Sequence, residues 1–147
     1  MVAKGLNHIA ITVSDTQRSL RFYCDLLGLE QVEQHPLEGD KIEKALGLSG
    51  ARAQSTRLAA AGTPGILIDL MEFFTPQMDS CIPPSGAVGS THFCLAVDGL
   101  ADAYERLKAQ GVEFVSEPVT FELTEGSVTV VFTHDPDGNV VELVDEQ

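Results

Sequence analysis

Apolar and polar positions alternate at the start of the chain. Ile9, Ile11 and Val13 fall on one face of an extended segment; His8, Ala10 and Thr12 fall on the other. Ser14 or Asp15 then offers a side-chain oxygen to the free amides of a helix start. Leu20, Tyr23 and Leu27 recur at helical spacing, and Gly28 supplies a left-handed stop. The same pattern returns later. An extended run from Ser90 to Val97 carries His92, Asp98-Gly99 follows, and Leu100, Ala103, Tyr104 and Leu107 form a helical stripe that Gly111 ends. Three strand-like stretches follow each helix: residues 30–35, 53–60 and 66–74 in the first half, and 113–117, 127–133 and 140–145 in the second. His134-Asp-Pro-Asp-Gly-Asn139 is a turn between the last two.

The predicted fold class is α+β, two tandem βαβββ modules over residues 1–75 and 90–147. Two stretches lie outside the repeat. Residues 38–50 carry Ile42, Ala45 and Leu46 at helical spacing and predict a short inserted helix or lid. Residues 76–89, rich in Pro, Gly and Ser, read as the joining loop. A module of about seventy residues leaves one sheet face bare, so residues 1–147 are expected to act as a single domain with a shared core.

Charge narrows the partners. The net charge is −13, from 22 acidic and 9 basic residues, so a nucleic-acid backbone or an anionic membrane would be repelled. No apolar run approaches the ~20 residues that span a bilayer. The N-terminal residues lack the apolar core of a secretory signal, and a cytoplasmic address is the expectation. Cys24, Cys81 and Cys94 match no paired spacing and read as buried free thiols.

Candidate chemistry sits where strands should be apolar. His8 and His92 occupy matching positions of the two modules, and Glu142 is flanked by Val140, Val141, Leu143 and Val144. A lone strand histidine is ordinarily a packed or surface residue; two in register with a repeat call for a shared role. An acid buried among hydrophobes costs several kcal/mol unless it is paired or bound to a metal. Two histidines and one or two carboxylates suit Zn, Ni, Co, Mn or Fe(II). The first module offers Asp69 or Glu72, which have opposite strand parity. Matching Gly65–Leu70 with Gly138–Leu143 sets Asp69 opposite Glu142. Tyr23 and Tyr104 read as packing helix on sheet. His35, His134 and the acids Glu30, Glu33, Glu38 and Asp40 read as solvated surface, and Lys41, Arg52 and Arg57 as scattered cations.

The repeated strand histidine, Phe22-Tyr23 ahead of Leu27-Gly28-Leu29, and Asp135-Pro-Asp-Gly-Asn-Val-Val-Glu142-Leu together resemble the vicinal-oxygen-chelate superfamily, which includes glyoxalases, bleomycin-resistance proteins and extradiol dioxygenases. The resemblance implies a cupped, half-open mixed sheet around a cavity, where a divalent metal chelates neighbouring oxygens of a small-molecule substrate. It implies His8, His92, Glu142 and one of Glu72 or Asp69 as ligands; the family's strand-end proline, here Pro76, favours Glu72. It implies a lyase or isomerase of the glyoxalase or epimerase kind, with Glu142 or Glu72 moving a proton next to a carbonyl. An Fe(II) dioxygenase using His8, His92 and Glu142 alone is the alternative, and a non-enzymatic antibiotic binder the second. A homodimer is likewise implied.

Overall fold

The computed structural model describes residues 2–62, 65 and 67–147. The chain divides into two compact units, Met1–Ser80 and Cys81–Gln147, each with its own sheet. Both units run strand, helix, then three strands, as the repeat predicts.

In the first unit, β1 (His8–Val13) leads into α1 (Thr16–Leu20). Asp15 caps this helix by accepting from the Arg18 amide at 3.0 Å, which satisfies one of the free donors of the first turn. The helix widens into a π-helical turn over Arg21–Leu26, and Gly28 follows with φ +83°, the left-handed geometry its position called for. β2 (Leu29–Glu38), the inserted helix α2 (Asp40–Leu46), β3 (Arg52–Ala60) and β4 (Leu67–Thr75) complete the unit. The predicted start of the last strand, Ile66, lies outside the described residues. The sheet order is β1-β4-β3-β2, with β1 parallel to β4 and the other pairs antiparallel.

This register sorts the side chains. Ile11, Val13, Leu58 and Leu70 share one face and are buried with Phe22 and Tyr23 of the helical segment. His8, Asp69 and Arg57 leave from the other face, opposite α1. Burying apolar side chains of this kind stabilises by about 1.5–3 kcal/mol each, which holds the alternation in its register.

The second unit repeats the plan with β5 (His92–Ala96), α3 (Leu100–Ala109), β6 (Val119–Glu122), β7 (Ser127–His134) and β8 (Val140–Glu146), in the order β5-β8-β7-β6. Val131, Val141 and Leu143 are buried with Leu100, Tyr104 and Leu107 of the helix. Two expectations are corrected here. Residues 113–117 are not a strand: Phe114 makes an isolated bridge to Thr133, and the paired strand begins at Val119. The cysteines are not all buried, since Cys24 is half-buried while Cys81 and Cys94 are exposed. Among the described residues no helix is long and apolar enough to cross a membrane.

Candidate functional site

Each unit brings one histidine and one carboxylate together. In the second, Cys94 is the register partner of Glu142 on β8, and Glu142 is in turn the partner of Phe132 on β7. His92, two residues before Cys94, therefore faces the same way. Its Nε2 stands 3.3 Å from Glu142 Oε2, and its ring meets Phe132 edge-on at 5.4 Å. The β7–β8 turn fixes this register. Buried Asp135 accepts from the Asp137 and Asn139 amides at 2.9 and 2.8 Å and from Asn139 Nδ2 at 2.9 Å. The Cys94 thiol is pushed up to about 12, by desolvation first and then by the charge and hydrogen bond of Glu142.

In the first unit, His8 Nδ1 donates to Asn7 Oδ1 at 2.8 Å, so the neutral ring keeps its lone pair on Nε2. That nitrogen lies 3.9 Å from Asp69 Oδ2. Asp69 is 5% exposed, and such an acid needs a partner. Arg57 supplies it through a fork, Nε to Oδ1 at 2.7 Å and Nη2 to Oδ2 at 2.8 Å. These hydrogen bonds hold the Asp69 carboxyl below the usual carboxylate range, against the opposing effect of burial.

Glu72 sits elsewhere. It pairs with Val13 on the helix-covered face, and its Oε2 accepts from the Thr16 amide at 3.0 Å and the Thr16 hydroxyl at 2.6 Å. Asp145 does the same in the second unit, accepting from the Leu100 amide at 3.1 Å. Asp69 and Glu72 are thus spaced like Glu142 and Asp145: one acid beside the strand histidine, and a second, three residues on, at the start of the helix.

Sequence reading passed over Arg57 as a scattered cation and over Glu33 and His35 as surface. Arg57 Nη1 reaches Glu33 Oε2 at 3.4 Å, and Glu33 Oε1 lies 3.6 Å from His35 Nδ1. The available signal was Arg57 itself, a charge between Thr56 and Leu58, both fully buried. His134 is exposed, as expected. A surface hollow of about 520 Å³ beside α3, lined by Tyr104, Lys108, Phe114 and Glu117, contains neither His92 nor Glu142. Paired donors, not that hollow, mark the site.

The donor chemistry fits a divalent ion. Two ligands bound at ~2.0–2.2 Å in tetrahedral geometry stand about 3.3–3.6 Å apart, and the His92–Glu142 separation of 3.3 Å meets the short end of that range. Among the described residues no three His, Cys, Asp or Glu side chains form a metal cluster.

Comparison with known proteins agrees with the fold. The chain is similar to a lactoylglutathione lyase of Schizosaccharomyces pombe, 28% identical over 96% of this chain but only 47% of that protein's length. It is also 28% identical to a lactoylglutathione lyase of Escherichia coli O157:H7, over 97% of this chain and 93% of the relative. A glyoxalase family protein from Bacillus cereus shares the fold with a TM-score of 0.84 at 21% identity, over 99% of both chains. The family model for the Glyoxalase/Bleomycin resistance protein/Dioxygenase superfamily matches residues 5–143, and the chain belongs to that superfamily.

Proposed function

We propose that the chain is a divalent-metal-dependent enzyme of the glyoxalase type, a lyase or isomerase that moves a proton on the carbon next to a carbonyl of a small substrate. One observation carries this reading: each unit sets a histidine and a carboxylate on the sheet face opposite the helix that follows its first strand, at matching positions of the repeat. The proposed ligands are His8, Asp69, His92 and Glu142, supplied by one chain or by two copies in a homodimer. Asp69 is preferred to Glu72 because Glu72 is engaged at the start of α1. Similarity to the two lactoylglutathione lyases supports the reaction class.

When bound, the ion would supply Lewis acidity to two neighbouring substrate oxygens and a counter-charge for the electrons a departing proton leaves behind. The chain's own residues do the rest. His8 and His92 act as neutral nitrogen donors, with His8 already oriented by Asn7. Glu142 takes the proton from carbon and returns it. Its carboxylate stands between the His92 imidazole and the Cys94 thiol. Phe132, Val140 and Val144 share the face with Glu142 and make its surroundings apolar.

Elemental analysis of native protein, and titration of metal-free protein with Zn, Ni, Co, Mn and Fe(II), test the reading. Stoichiometric metal, lost in His92→Ala and in Glu142→Gln, is expected. Failure of all five ions to bind sinks it. Methylglyoxal with glutathione is the first substrate probe, read as formation of the lactoylglutathione thioester.

A specific observation favours a second reading. If the Arg57 fork keeps Asp69 from any metal, His8, His92 and Glu142 remain as the two-histidine, one-carboxylate set of Fe(II) oxygen chemistry. Iron-dependent oxygen uptake with a catechol, alongside no proton exchange, would select it.

A further inference from the structure

A row of ionic side chains crosses the face of the first sheet opposite α1, and the catalytic reading uses only part of it. Asp69 on β4, Arg57 on β3 and Glu33 on β2 are direct cross-strand partners, so their side chains leave the sheet on one side. Arg57 stands between two acids. It holds Asp69 at 2.7 and 2.8 Å and reaches Glu33 at 3.4 Å.

Oxygen Oδ2 of Asp69 is contested. It accepts from Arg57 Nη2 at 2.8 Å and faces His8 Nε2 at 3.9 Å. Two tetrahedral ligands of one ion stand about 3.3–3.6 Å apart. The His92–Glu142 pair meets that separation at 3.3 Å, and the His8–Asp69 pair does not. Drawing Oδ2 toward the imidazole to share an ion with His8 takes it away from Nη2. A guanidinium does not deprotonate, so it cannot yield by losing its charge; it needs another acceptor. The Glu33 carboxylate, half exposed and already within ion-pair distance, is that acceptor.

We propose that Arg57 is an internal counter-cation that competes with a divalent metal for Asp69 and sets the metal affinity of the first half-site, with Glu33 taking up the guanidinium when Asp69 turns toward His8. The inference rests on the metal site proposed above. It has a direction opposite to that of a simple ligand-orienting role. Removing the arginine charge relieves the competition and leaves Asp69, a buried anion, without a partner until metal arrives. Both effects tighten metal binding. Removing the Glu33 charge takes away the alternative acceptor and weakens it.

The test is zinc affinity, measured by chelator competition on dialysed wild type, Arg57→Met, Glu33→Gln and the double variant, with thermal unfolding of each in chelator. Arg57→Met is expected to bind zinc roughly tenfold more tightly than wild type, the scale on which groups behind a ligand act, and to melt at a lower temperature when metal-free. Glu33→Gln is expected to bind more weakly, and to have no effect in the Arg57→Met background. Arg57→Lys keeps the charge without the fork; it should bind more tightly than wild type by a smaller factor, and it covers a failure of Arg57→Met to fold. Equal or weaker zinc binding in both arginine variants overturns the proposal. A Glu33→Gln effect that persists without Arg57 overturns the role given to Glu33. Zinc binding absent in wild type, or untouched by Glu142→Gln, instead sinks the metal reading and this inference with it.

Discussion

Glu72 is tied to Thr16: one carboxylate oxygen accepts both the backbone amide and the hydroxyl at the first residue of α1. Asp145 and Leu100 repeat the relationship through the amide alone. Both acids therefore satisfy a helix-start donor that the helix itself cannot. Glu72→Ala and Asp145→Ala should each cost about 0.5–2 kcal/mol of stability, the range for a lost N-terminal cap, and leave zinc affinity unchanged. Asp69→Asn should do the reverse at the metal, weakening zinc binding by more than about tenfold. Urea unfolding and chelator competition on the three variants check the division. A large loss of zinc affinity in Glu72→Ala would return Glu72 to the ligand set.

The repeat was legible because two periods write it. Alternation at β1 and β5, and the stripe of Leu100, Tyr104 and Leu107, follow from faces that must be buried. β6 was missed for the same reason: Val119, Thr120, Phe121 and Glu122 are all exposed, so no burial pattern marks them. Strand parity separated Asp69 from Glu72 without saying which face the helix covers. The matching pair Glu142 and Asp145 held that answer, because the two spacings are the same. The charge of Arg57 inside a strand was visible but its partner was not, since that depends on the β3–β4 register that sets it opposite Asp69, and register is a property of the assembled sheet.

Acid should expose the Arg57–Asp69 pair. The fork holds the folded Asp69 carboxyl below its ordinary value of 3.8. As pH falls, the unfolded chain takes up the proton first. The pair's contribution is thus complete above about pH 4 and lost as pH drops through the lower, folded value. In metal-free protein, the stability gap between wild type and Asp69→Asn should be constant from pH 7 to near 4 and then close. Urea unfolding across that range measures it. A gap that survives unchanged to pH 2.5 contradicts the assignment.

Phe132 is the register partner of Glu142 and meets the His92 ring at an interplanar angle of 82°. Such an edge contact limits the rotation of the imidazole and keeps Nε2 toward the carboxylate. Phe132→Ala should weaken zinc binding by about tenfold, because the ring must then be ordered at the moment of binding. Phe132→Tyr keeps the ring and should restore the affinity. If alanine and tyrosine bind zinc alike, the aromatic contact plays no part in holding His92.

Glu142 and Asp69 are both carboxylates beside a strand histidine, yet their surroundings divide the work. Asp69 has both oxygens held by a fixed cation, which lowers its basicity and its freedom to move. Glu142 has a histidine nitrogen at 3.3 Å and a thiol, neither of which fixes both oxygens. In the proposed reaction Glu142 is therefore the base, and Glu142→Gln keeps its volume while removing its ability to take a proton. With zinc at saturating concentration, this variant should lose about 10²–10⁴-fold in solvent-deuterium exchange at the carbon next to the carbonyl, the span of general-base contributions. Asp69→Asn, saturated in the same way, should keep measurable exchange. Methylglyoxal with glutathione in D₂O, followed by NMR, reads both. Undiminished exchange in Glu142→Gln would move the base to another residue, and Asp69 would be the first to test.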